Sequence, residues 1–364
     1  MKKKQSIYYI AELNLPNKSA YSIHVMKMCE AFSKLGYEIN LFVINHKNIN
    51  KLFKSYNIKN KFYMESILSN FTQLNLILRI FFSISILFKN LNKKSFFISR
   101  SIIFALIASL LKKNVILELH HEITGFSKII YFFFKYLKLI ENLNYIFLNK
   151  NLNKIYKIDI KKIVVLDDAV NISDFKIRKS VKYKNTCVYI GSFFKGKGVE
   201  QIFRLAELNK KIKFHLYGDK SFLNERHKLK NIKIHNFIDY EKIPKILSKY
   251  EVALMPYQDK IKGRSSIWLE KYMSPLKMFD YLAARMIIVA SNLEVYKHIL
   301  KNNYNSFLVK VNDDKLWSQK IQKLFKYNSK KSRLINNAYK TAEKYTWEKR
   351  CKKILRFGNQ RFNY

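Results

Sequence analysis

Short uninterrupted apolar runs alternate along this chain with longer stretches in which apolar residues recur every three or four positions. The first run is "IYYIA" (7–11), the stretch Tyr21–Leu35 follows, and the next predicted strand is "EINLFVI" (38–44), whose uninterrupted apolar run is Leu41–Ile44. Uninterrupted apolar runs are typical of parallel strands buried on both faces, and recurrence at three or four residues is typical of a covering helix. The alternation therefore predicts an α/β fold built on parallel sheets.

The alternation stops at a polar stretch near residues 168–180 and then starts again. The strands predicted in this second half are "TCVYIGSF" (186–193), "IKFHLYG" (212–218), "IKIHNFI" (232–238), "VALMPY" (252–257) and "RMIIVAS" (285–291). Two consecutive units of this kind predict two Rossmann-like, doubly wound domains that face one another across a cleft. Ligands of such sheets bind at the carboxyl ends of the strands, so functional residues are expected in the loops that follow strands.

The chain carries 69 lysines and arginines against 26 aspartates and glutamates, a formal net charge of +43. This charge fits three classes of partner: nucleic acid, an anionic membrane surface and an acidic substrate. It also fits a compositional origin, because Lys, Asn and Ile share A/T-rich codons and dominate stretches such as residues 47–62. No helix-turn-helix, zinc or RNA-binding signature accompanies the charge, which argues against specific nucleic-acid recognition.

The cysteines and the apolar stretches indicate the compartment. Cys29, Cys187 and Cys351 form neither a disulfide framework nor a CxxC motif, which favours a reducing compartment, and no cluster has metal-ligand spacing. The N-terminal apolar run is too short for a signal peptide. The stretches Leu74–Phe88, which Arg79 breaks, and Ile102–Leu111 do not reach the roughly 18 to 20 uninterrupted residues of a membrane span. A cytoplasmic protein is predicted, with peripheral contact at the inner face of the membrane left open.

The segment "YIGSFFKGKGVEQI" (189–202) places three glycines and two lysines between a strand and a helix that opens near Val199. Glycines let the backbone approach a ligand closely, a helix N-terminus offers free N–H groups, and Lys197 adds a positive charge. These features predict a phosphate-binding loop, although the spacing matches neither the P-loop nor the GxGxxG motif. The alternative is a lysine-rich surface turn.

The segment "SPLKMFDYLAARMIIVAS" (274–291) begins with Ser274-Pro275, a good helix start. Its buried stripe is predicted at Leu276, Phe279 and Ala283, which leaves Asp280 on a different face. A carboxylate there could accept hydrogen bonds from the vicinal hydroxyls of a ribose. The alternative is a solvent-facing carboxylate of the helix surface.

The segment "LELHHEITG" (117–125) places histidines and a glutamate at the carboxyl end of a strand. His120 and Glu122 could orient or protonate a sugar hydroxyl or a leaving phosphate, and a structural histidine is the alternative. The N-terminal loop with Lys18, Ser19 and Ala20 faces the same cleft if the two domains pair as predicted.

Two stretches of the first half, residues 80–94 and 127–148, are both aromatic and basic. They are interpreted either as buried helices of a Rossmann-like domain or as an interfacial surface that receives a lipid-linked glycan, with lysines near anionic head groups.

Taken in order, several segments together resemble the GT-B-fold retaining glycosyltransferases of family 4. The matching segments, besides the two quoted from residues 189 and 274 onward, are "SIHVMKMCEAFSKLGYEINLFV" (22–43), "VLDDAVNISDF" (165–175), "NFIDYEKIPKILSKYEVALMPY" (236–257) and "KYTWEKRCKKIL" (344–355). The resemblance implies an N-terminal acceptor-side domain over residues 1–168, to which a helix at 345–364 crosses back, and a C-terminal nucleotide-sugar-binding domain over residues 169–344.

The resemblance also implies the roles of the site residues. Lys197 would bind the donor diphosphate, Asp280 would hold the ribose hydroxyls, and His120 would lie near the transferred sugar; these three are the predicted catalytic residues. The full donor-binding set is Gly191, Ser192, Lys197, Phe237, Ile238, Ser274, Pro275, Leu276 and Asp280. The acceptor side would include Lys18, Ser19, Ala20 and Glu122. Phe237 and Ile238 would border the base, and the backbone after Ser274 would contact phosphate.

The implied reaction moves a hexose-type sugar from a nucleoside-diphosphate-sugar to a glycan or lipid-linked acceptor, with retention, without a metal or other cofactor, in bacterial surface polysaccharide or lipopolysaccharide synthesis. The chain departs from the family pattern at Ser192, where many members carry arginine, and at Tyr272 and Arg285. These departures leave three alternatives open: a degenerate donor-binding protein, a sugar-nucleotide epimerase of the same fold, and a basic nucleic-acid-binding protein.

Overall fold

The structure is a computed structural model that describes residues 6–89, 96–176, 180–219, 221, 229–263, 268–326 and 331–362. The chain divides into two compact units. The N-terminal unit consists of Met1–Asp167 together with Trp347–Tyr364, and the C-terminal unit consists of Asp168–Thr346.

The N-terminal unit contains a seven-stranded sheet in which every neighbouring pair is parallel. Its strands are β1 (Ser6–Leu15), β2 (Glu38–His46), β3 (Tyr63–Ser66), β4 (Phe96–Ser99), β5 (Val115–Leu119), β6 (Asn144–Phe147) and β7 (Ile163–Val165). They are ordered β3-β2-β1-β4-β5-β6-β7, so the direction of strand addition reverses between β1 and β4. In open α/β sheets such a reversal marks the place where ligands bind.

Six α-helices in the described part of this unit connect these strands. They are α1 (Ala20–Lys34), α2 (Ile49–Ser55), α3 (Leu76–Leu87), α4 (Ile102–Leu110), α5 (Phe126–Tyr136) and α6 (Asn153–Tyr156). The first helix matches the predicted stretch Tyr21–Leu35 to within one residue at each end. At its start the Ser19 hydroxyl accepts a hydrogen bond from the Ser22 N–H, and Gly36 lies just past the C-cap with φ at +88°. A positive φ there is typical of a helix C-terminus, and glycine adopts it without a Cβ penalty.

The C-terminal unit contains a six-stranded parallel sheet. Its strands are β8 (Thr186–Ile190), β9 (Lys213–Tyr217), β10 (Ile232–His235), β11 (Val252–Met255), β12 (Ile287–Ser291) and β13 (Phe307–Val309). Their order is β10-β9-β8-β11-β12-β13, so the direction reverses between β8 and β11. The loops after β8 and β11 are therefore the expected binding place of this unit.

The helices of the C-terminal unit are α7 (Val199–Leu208), α8 (Ile243–Leu247), α9 (Leu276–Ala283), α10 (Asp314–Lys326) and α11 (Lys331–Ala342), and the last helix of the chain, α12 (Trp347–Phe362), belongs to the N-terminal unit. The core of the C-terminal unit packs α7 and α10 on the sheet, with Ile202 and Trp317 fully buried against strand side chains. The α12 helix packs on α1, where the Trp347 ring meets the His24 ring edge-on at 5.1 Å.

The prediction of two parallel α/β sheets is confirmed, and the N-terminal apolar run is a strand, β1. The strands β3, β6 and β13 were not predicted. The predicted strand "IKIHNFI" ends at His235, so Phe237 and Ile238 lie in the loop that follows β10. Among the described residues, no helix has both the length and the apolar character to cross a bilayer.

Candidate functional site

The loop that follows β8 packs closely on the segment that follows β11. Gly198 has φ at +86°, and a Cβ placed on it would lie 1.8 Å from the carbonyl oxygen of Pro256. The Gln258 N–H donates a hydrogen bond to the Gly196 carbonyl at 2.9 Å, which ties the loop to the same segment. Only glycine fits at position 198, so its lack of a side chain permits the close packing on Pro256 that places the neighbouring Lys197.

Lys197, a predicted catalytic residue, directs its ammonium group over the ring of Tyr257, 5.1 Å from the ring centroid. Burial lowers the pKa of Lys197 to about 8. Within the described part of the chain the ammonium has no ion pair, which leaves its charge available to an anionic ligand. The position at the reversal between β8 and β11 is the one where the fold itself favours ligand binding.

The α9 helix carries most of the remaining predicted donor residues. The Tyr281 hydroxyl accepts a hydrogen bond from the Ile190 N–H at 2.9 Å, which fixes α9 to the carboxyl end of β8. The Ser274 hydroxyl accepts from the Asp168 N–H at 3.0 Å, so this side chain holds backbone in place. Pro275 is the N-cap and Leu276 the first helical residue, and both are half-buried. The backbone N–H groups of a first helical turn have no partner within the helix, so phosphate binding there stays a prediction.

Asp280 is buried, with 4 % of its surface exposed, and its Oδ1 accepts a hydrogen bond from the Tyr240 hydroxyl at 3.0 Å. The alternative of a solvent-facing carboxylate is therefore wrong. The predicted buried stripe was too narrow, because every residue from Met278 to Ala283 is buried. The role of Asp280 in binding ribose hydroxyls stays a prediction.

Lys277, one turn before Asp280, was not predicted. Its Nζ is buried, lies 3.7 Å from the centroid of the Tyr189 ring and 5.4 Å from that of Tyr257, and has no hydrogen-bond partner among the described residues. Burial and the nearby charge of Lys197 hold the pKa of Lys277 well below its ordinary value, and Asp280 opposes the shift only in part. The spacing of Lys277 and Asp280 could have predicted this position, because residues three apart on a helix lie on one face.

The two residues that open the glycine loop lie beside this second lysine. A Cβ placed on Gly191 would lie 2.4 Å from the Nζ of Lys277, so the absence of a side chain at 191 leaves the room that the ammonium occupies. The Ser192 carbonyl accepts a hydrogen bond from the Tyr189 hydroxyl at 2.8 Å. The predicted residues Gly191, Ser192 and Lys197 and the unpredicted Lys277 therefore lie at one end of β8.

Phe237 and Ile238 are half-buried in the loop between β10 and the turn that starts at Tyr240. Just before this loop, the rings of His235 and Tyr217 stack with centroids 4.2 Å apart and planes 7° apart. The predicted contact of Phe237 and Ile238 with a base stays a prediction.

In the N-terminal unit the predicted residue His120 belongs to a network centred on Glu118, which is fully buried on β5. The Glu118 Oε1 lies 2.9 Å from His24 Nε2, 3.1 Å from His120 Nε2 and 2.7 Å from Arg350 Nη2, and Oε2 accepts from the Tyr9 hydroxyl at 2.5 Å. Burial raises the pKa of Glu118, but attraction to His24 and Arg350 and the hydrogen bonds from both histidines more than offset it and hold the pKa well below its ordinary value.

This network determines what His120 can do. Burial and the positive charge of Arg100 lower the pKa of His120 to about 3, with Glu118 opposing the shift, so the ring is neutral at physiological pH. Its Nε2–H donates to Glu118, which leaves Nδ1 as an acceptor. The predicted role in protonation is therefore not supported by the geometry, whereas the role in orienting a sugar hydroxyl stays a prediction.

The other predicted acceptor-side residues are more exposed. Glu122 is half-buried, and its carbonyl accepts a hydrogen bond from Nδ1 of His121 at 2.7 Å. Ser19 serves as the N-cap of α1, whereas Lys18 and Ala20 on either side of it are exposed. Their contact with an acceptor stays a prediction.

Arg100 is a second residue that was not predicted. It follows β4 directly, at the reversal of strand order in the N-terminal unit, and its guanidinium stacks on the Tyr21 ring at 3.9 Å. Its Nη1 is buried and has no hydrogen-bond partner within the described ranges. A cation at this position favours an anionic group on whatever ligand binds beside His120.

His24, Glu118 and His120 place ligand atoms within 4.8 Å of one another, a separation that would suit a metal ion. However, the same carboxylate oxygen accepts a hydrogen bond from the guanidinium of Arg350 at 2.7 Å. A metal ion there would face a fixed positive charge, so this cluster is better described as a hydrogen-bonded ion network that joins α1, β5 and α12.

Comparisons with known proteins agree with this geometry. Residues 171–341 match the model of the family described as "Glycosyl transferases group 1". No curated protein sequence matches the chain. The solved structures that resemble it include a glycosyltransferase from Rickettsia africae, with a TM-score of 0.73 and 14 % identity over 99 % of both chains.

Two further structures were solved with nucleotide. One is Anabaena Alr3699/HepE in complex with UDP and glucose, with a TM-score of 0.71 and 10 % identity over 96 % of this chain and 99 % of that chain. The other is the pneumococcal O-GlcNAc transferase GtfA in complex with UDP and GlcNAc, with a TM-score of 0.69 and 11 % identity over 100 % of both chains. These likenesses show the GT-B fold, and with the family match they confirm the resemblance to group 1 glycosyltransferases. The assignments to family 4 and to retention stay predictions.

Proposed function

We propose that this chain, which combines the GT-B fold with a group 1 glycosyl transferase domain at residues 171–341, transfers a hexose-type sugar from a nucleoside-diphosphate-sugar to a glycan or lipid-linked acceptor. The observation that carries the proposal is the glycine loop after β8. It holds the Lys197 ammonium at the reversal of strand order without an ion pair in the described structure. A diphosphate supplies the negative charge that balances the Lys197 ammonium.

The chemistry follows from stabilisation of the leaving group. As the bond between the sugar and the diphosphate breaks, negative charge develops on the diphosphate oxygen. Lys197 and the N–H groups of the first turn of α9 stabilise that charge, and electrostatic stabilisation of this kind often contributes more to catalysis than any other effect. The acceptor hydroxyl attacks the anomeric carbon from the face that the diphosphate leaves and gives its proton to the departing diphosphate oxygen, so the anomeric configuration is retained. In this scheme Nδ1 of His120 accepts a hydrogen bond from a sugar hydroxyl and holds the ring in position.

The donor is tested first with UDP-sugars, because two of the similar structures were solved with UDP. The Lys197→Ala variant should lower turnover by about 10²- to 10³-fold, by analogy with the loss of one oxyanion-stabilising donor. The matched control is Lys195→Ala, which removes an exposed lysine from the same loop. Transfer by Lys197→Ala at the wild-type rate would refute the assignment, and conversion of the sugar without any acceptor would identify an epimerase instead.

The acceptor side of the proposal rests on two helices of the N-terminal unit. Their apolar stripes face solvent: Ile77, Phe81, Ile84 and Phe88 on α3 and its C-cap, and Phe126, Ile129, Phe133 and Tyr136 on α5. The exposed fractions are 38 to 86 % on the first stripe and 57 to 83 % on the second. The spacing in each stripe is three or four residues, so each forms one face of its helix. We call these eight residues the apolar surface.

The two helices that carry the apolar surface approach one another where Arg79 of α3 donates a hydrogen bond to the Ser127 hydroxyl of α5 at 3.3 Å. Exposed lysines border it at Lys128 and Lys138, and Lys112 and Lys113 follow the neighbouring α4. An amphipathic surface with lysines at its edge binds anionic lipid through both apolar burial and charge attraction. We propose that it docks on an anionic membrane from which a lipid-linked acceptor, in bacterial surface polysaccharide or lipopolysaccharide synthesis, reaches the loop of His120 and Glu122.

Flotation with vesicles tests the membrane part separately from transfer. The wild type should float with vesicles that contain anionic lipid at low salt, and the double variant Phe81→Ser/Phe133→Ser should stay at the bottom of the gradient. Leu208→Ser is the matched control, since it removes an exposed leucine from the C-terminal unit. Equal flotation of all three proteins would remove the apolar surface from the proposal, and loss of flotation in the control would show a nonspecific effect.

A further inference from the structure

The Lys277 side chain lies on α9 in an environment that compensates its charge only in part. Its Nζ is buried, has no hydrogen-bond partner in the described part of the chain, and rests 3.7 Å from the centroid of the Tyr189 ring. A buried ammonium without a partner costs free energy in an empty protein. A role in packing alone does not require the charge, because a methionine side chain has a similar length and no charge.

A second ammonium group without an ion pair among the described residues lies close by. Lys197 comes from the glycine loop and Lys277 from α9, yet their ammonium groups lie 5.1 Å and 5.4 Å from the centroid of the same Tyr257 ring. The charge of Lys197 destabilises the charged form of Lys277. The nearest acidic group on α9, Asp280, accepts a hydrogen bond from Tyr240. Two cations gathered on one aromatic ring indicate a ligand that carries at least two negative charges.

The loop leaves space for this arrangement. The Nζ of Lys277 lies 2.4 Å from the position that a Cβ of residue 191 would take, and the next residue, Ser192, carries no charge. We propose that Lys277 and Lys197 together bind the two phosphates of the donor, with Lys277 supplying from α9 the cation that Ser192 does not provide. This inference rests on the proposed function, because it names the groups that hold the leaving diphosphate.

Calorimetric titration at pH 7 tests the proposal with three probes: inorganic pyrophosphate, UDP and uridine. Lys277→Met should weaken the binding of pyrophosphate and of UDP by at least about tenfold, as expected for the loss of a charge-assisted contact, and should leave the affinity for uridine unchanged. Lys195→Met is the matched control and should bind all three probes as the wild type does. A thermal melt verifies folding, and Lys277→Met should melt higher than the wild type because it removes a buried charge.

Proton uptake gives an independent readout. The groups that face Lys277 are Lys197, Asp280, Tyr189 and Tyr257. With a pKa of about 8, Lys197 is mostly deprotonated at pH 9 in the unliganded protein, and the lowered pKa of Lys277 favours loss of its proton in the same direction. A bound diphosphate restores these protons. Titration in two buffers of different ionisation enthalpy measures the uptake, which should be smaller in Lys277→Met.

The outcomes separate this inference from the proposed function. Unchanged affinity of Lys277→Met for pyrophosphate and UDP would overturn the inference even in a chain that transfers sugar. Conversely, a wild type that binds both probes through Lys277 but transfers no sugar would refute the transferase activity and support the inference. Failure of the wild type to bind either probe would overturn both.

Discussion

Replacement of Lys197 by methionine should make the empty protein more stable, although it weakens the proposed donor binding. Burial lowers the pKa of Lys197 from 10.5 to about 8 in the folded state. Each pKa unit corresponds to about 1.36 kcal/mol, so the folded state loses about 3 kcal/mol by keeping this lysine charged. The side chain retains partial exposure, which makes about 3 kcal/mol an upper bound. Methionine keeps the length of the side chain and removes the charge.

The pH dependence of the stability difference between Lys197→Met and the wild type shows whether the charge of Lys197 causes it. The folded pKa lies below the unfolded value, so between pH 8 and 10.5 the unfolded chain binds more protons and the stability of the wild type rises with pH. The advantage of Lys197→Met should therefore be complete below pH 8 and should disappear as the pH rises toward 10.5. Differential scanning calorimetry of the unliganded proteins measures it, and about 3 kcal/mol corresponds to about 6 to 12 °C for a unit of this size.

Two results would refute this reasoning. If Lys197→Met melted below the wild type at pH 7, the ammonium would stabilise the fold through a contact that its surroundings do not reveal. If the difference in melting temperature were the same at pH 7 and pH 10, it would come from packing and not from charge. Lys195→Met, which changes an exposed lysine of the same loop, should melt within about 1 °C of the wild type at both pH values, since exposed sites contribute little.

Two further substitutions test the packing that positions the candidate sites. Gly198→Ala should destabilise the protein by at least about 2 kcal/mol in urea unfolding, because its Cβ would lie 1.8 Å from the Pro256 carbonyl oxygen at a positive φ; an unchanged midpoint would show that the loop shifts freely. Glu118→Gln should cost about 3 to 5 kcal/mol at pH 7, because it leaves the Arg350 guanidinium buried without its carboxylate. The pKa of Glu118 lies well below 4.5 in the folded state, so the stability that its ionised carboxylate contributes is present above pH 4.5 and is lost as the pH falls further. Glu118→Gln should therefore lose less stability in acid than the wild type. Equal acid sensitivity of the two proteins would contradict the network.

The reach of the sequence can be judged from particular elements. The uninterrupted apolar runs at β1, β2 and β8 predicted strands because a central parallel strand is apolar on both faces. The β3 and β13 strands lie at the edges of their sheets, where one flank is unpaired and the apolar run is short. The β6 strand lies at the end of the aromatic stretch 127–148. It was not predicted because the residues that form the helix and those that form the strand have a similar composition in this stretch.

The aromatic stretches show a similar limit. The interpretation of residues 80–94 and 127–148 as buried helices is only partly right, because α3 and α5 bury one face and expose the other. The interpretation as an interfacial surface that receives a lipid-linked glycan stays a prediction. Residues 90–94 lie outside the described residues. The number of apolar residues could not show whether these stretches are buried or exposed, because α3 and α5 are apolar on more than one face.

The amino-acid sequence by itself determined the class of the fold, the glycine loop with Lys197 and the acidic residue on α9, because these depend on periodicity and on residue types at short spacing. Only the tertiary structure decided which polar groups are already satisfied. It buries Asp280 against Tyr240, commits Nε2 of His120 to Glu118, and leaves Lys277 beside Gly191 without a hydrogen-bond partner among the described residues. The physical reason is that hydrogen bonding and desolvation depend on neighbours that are distant in sequence, and local pattern does not encode those neighbours.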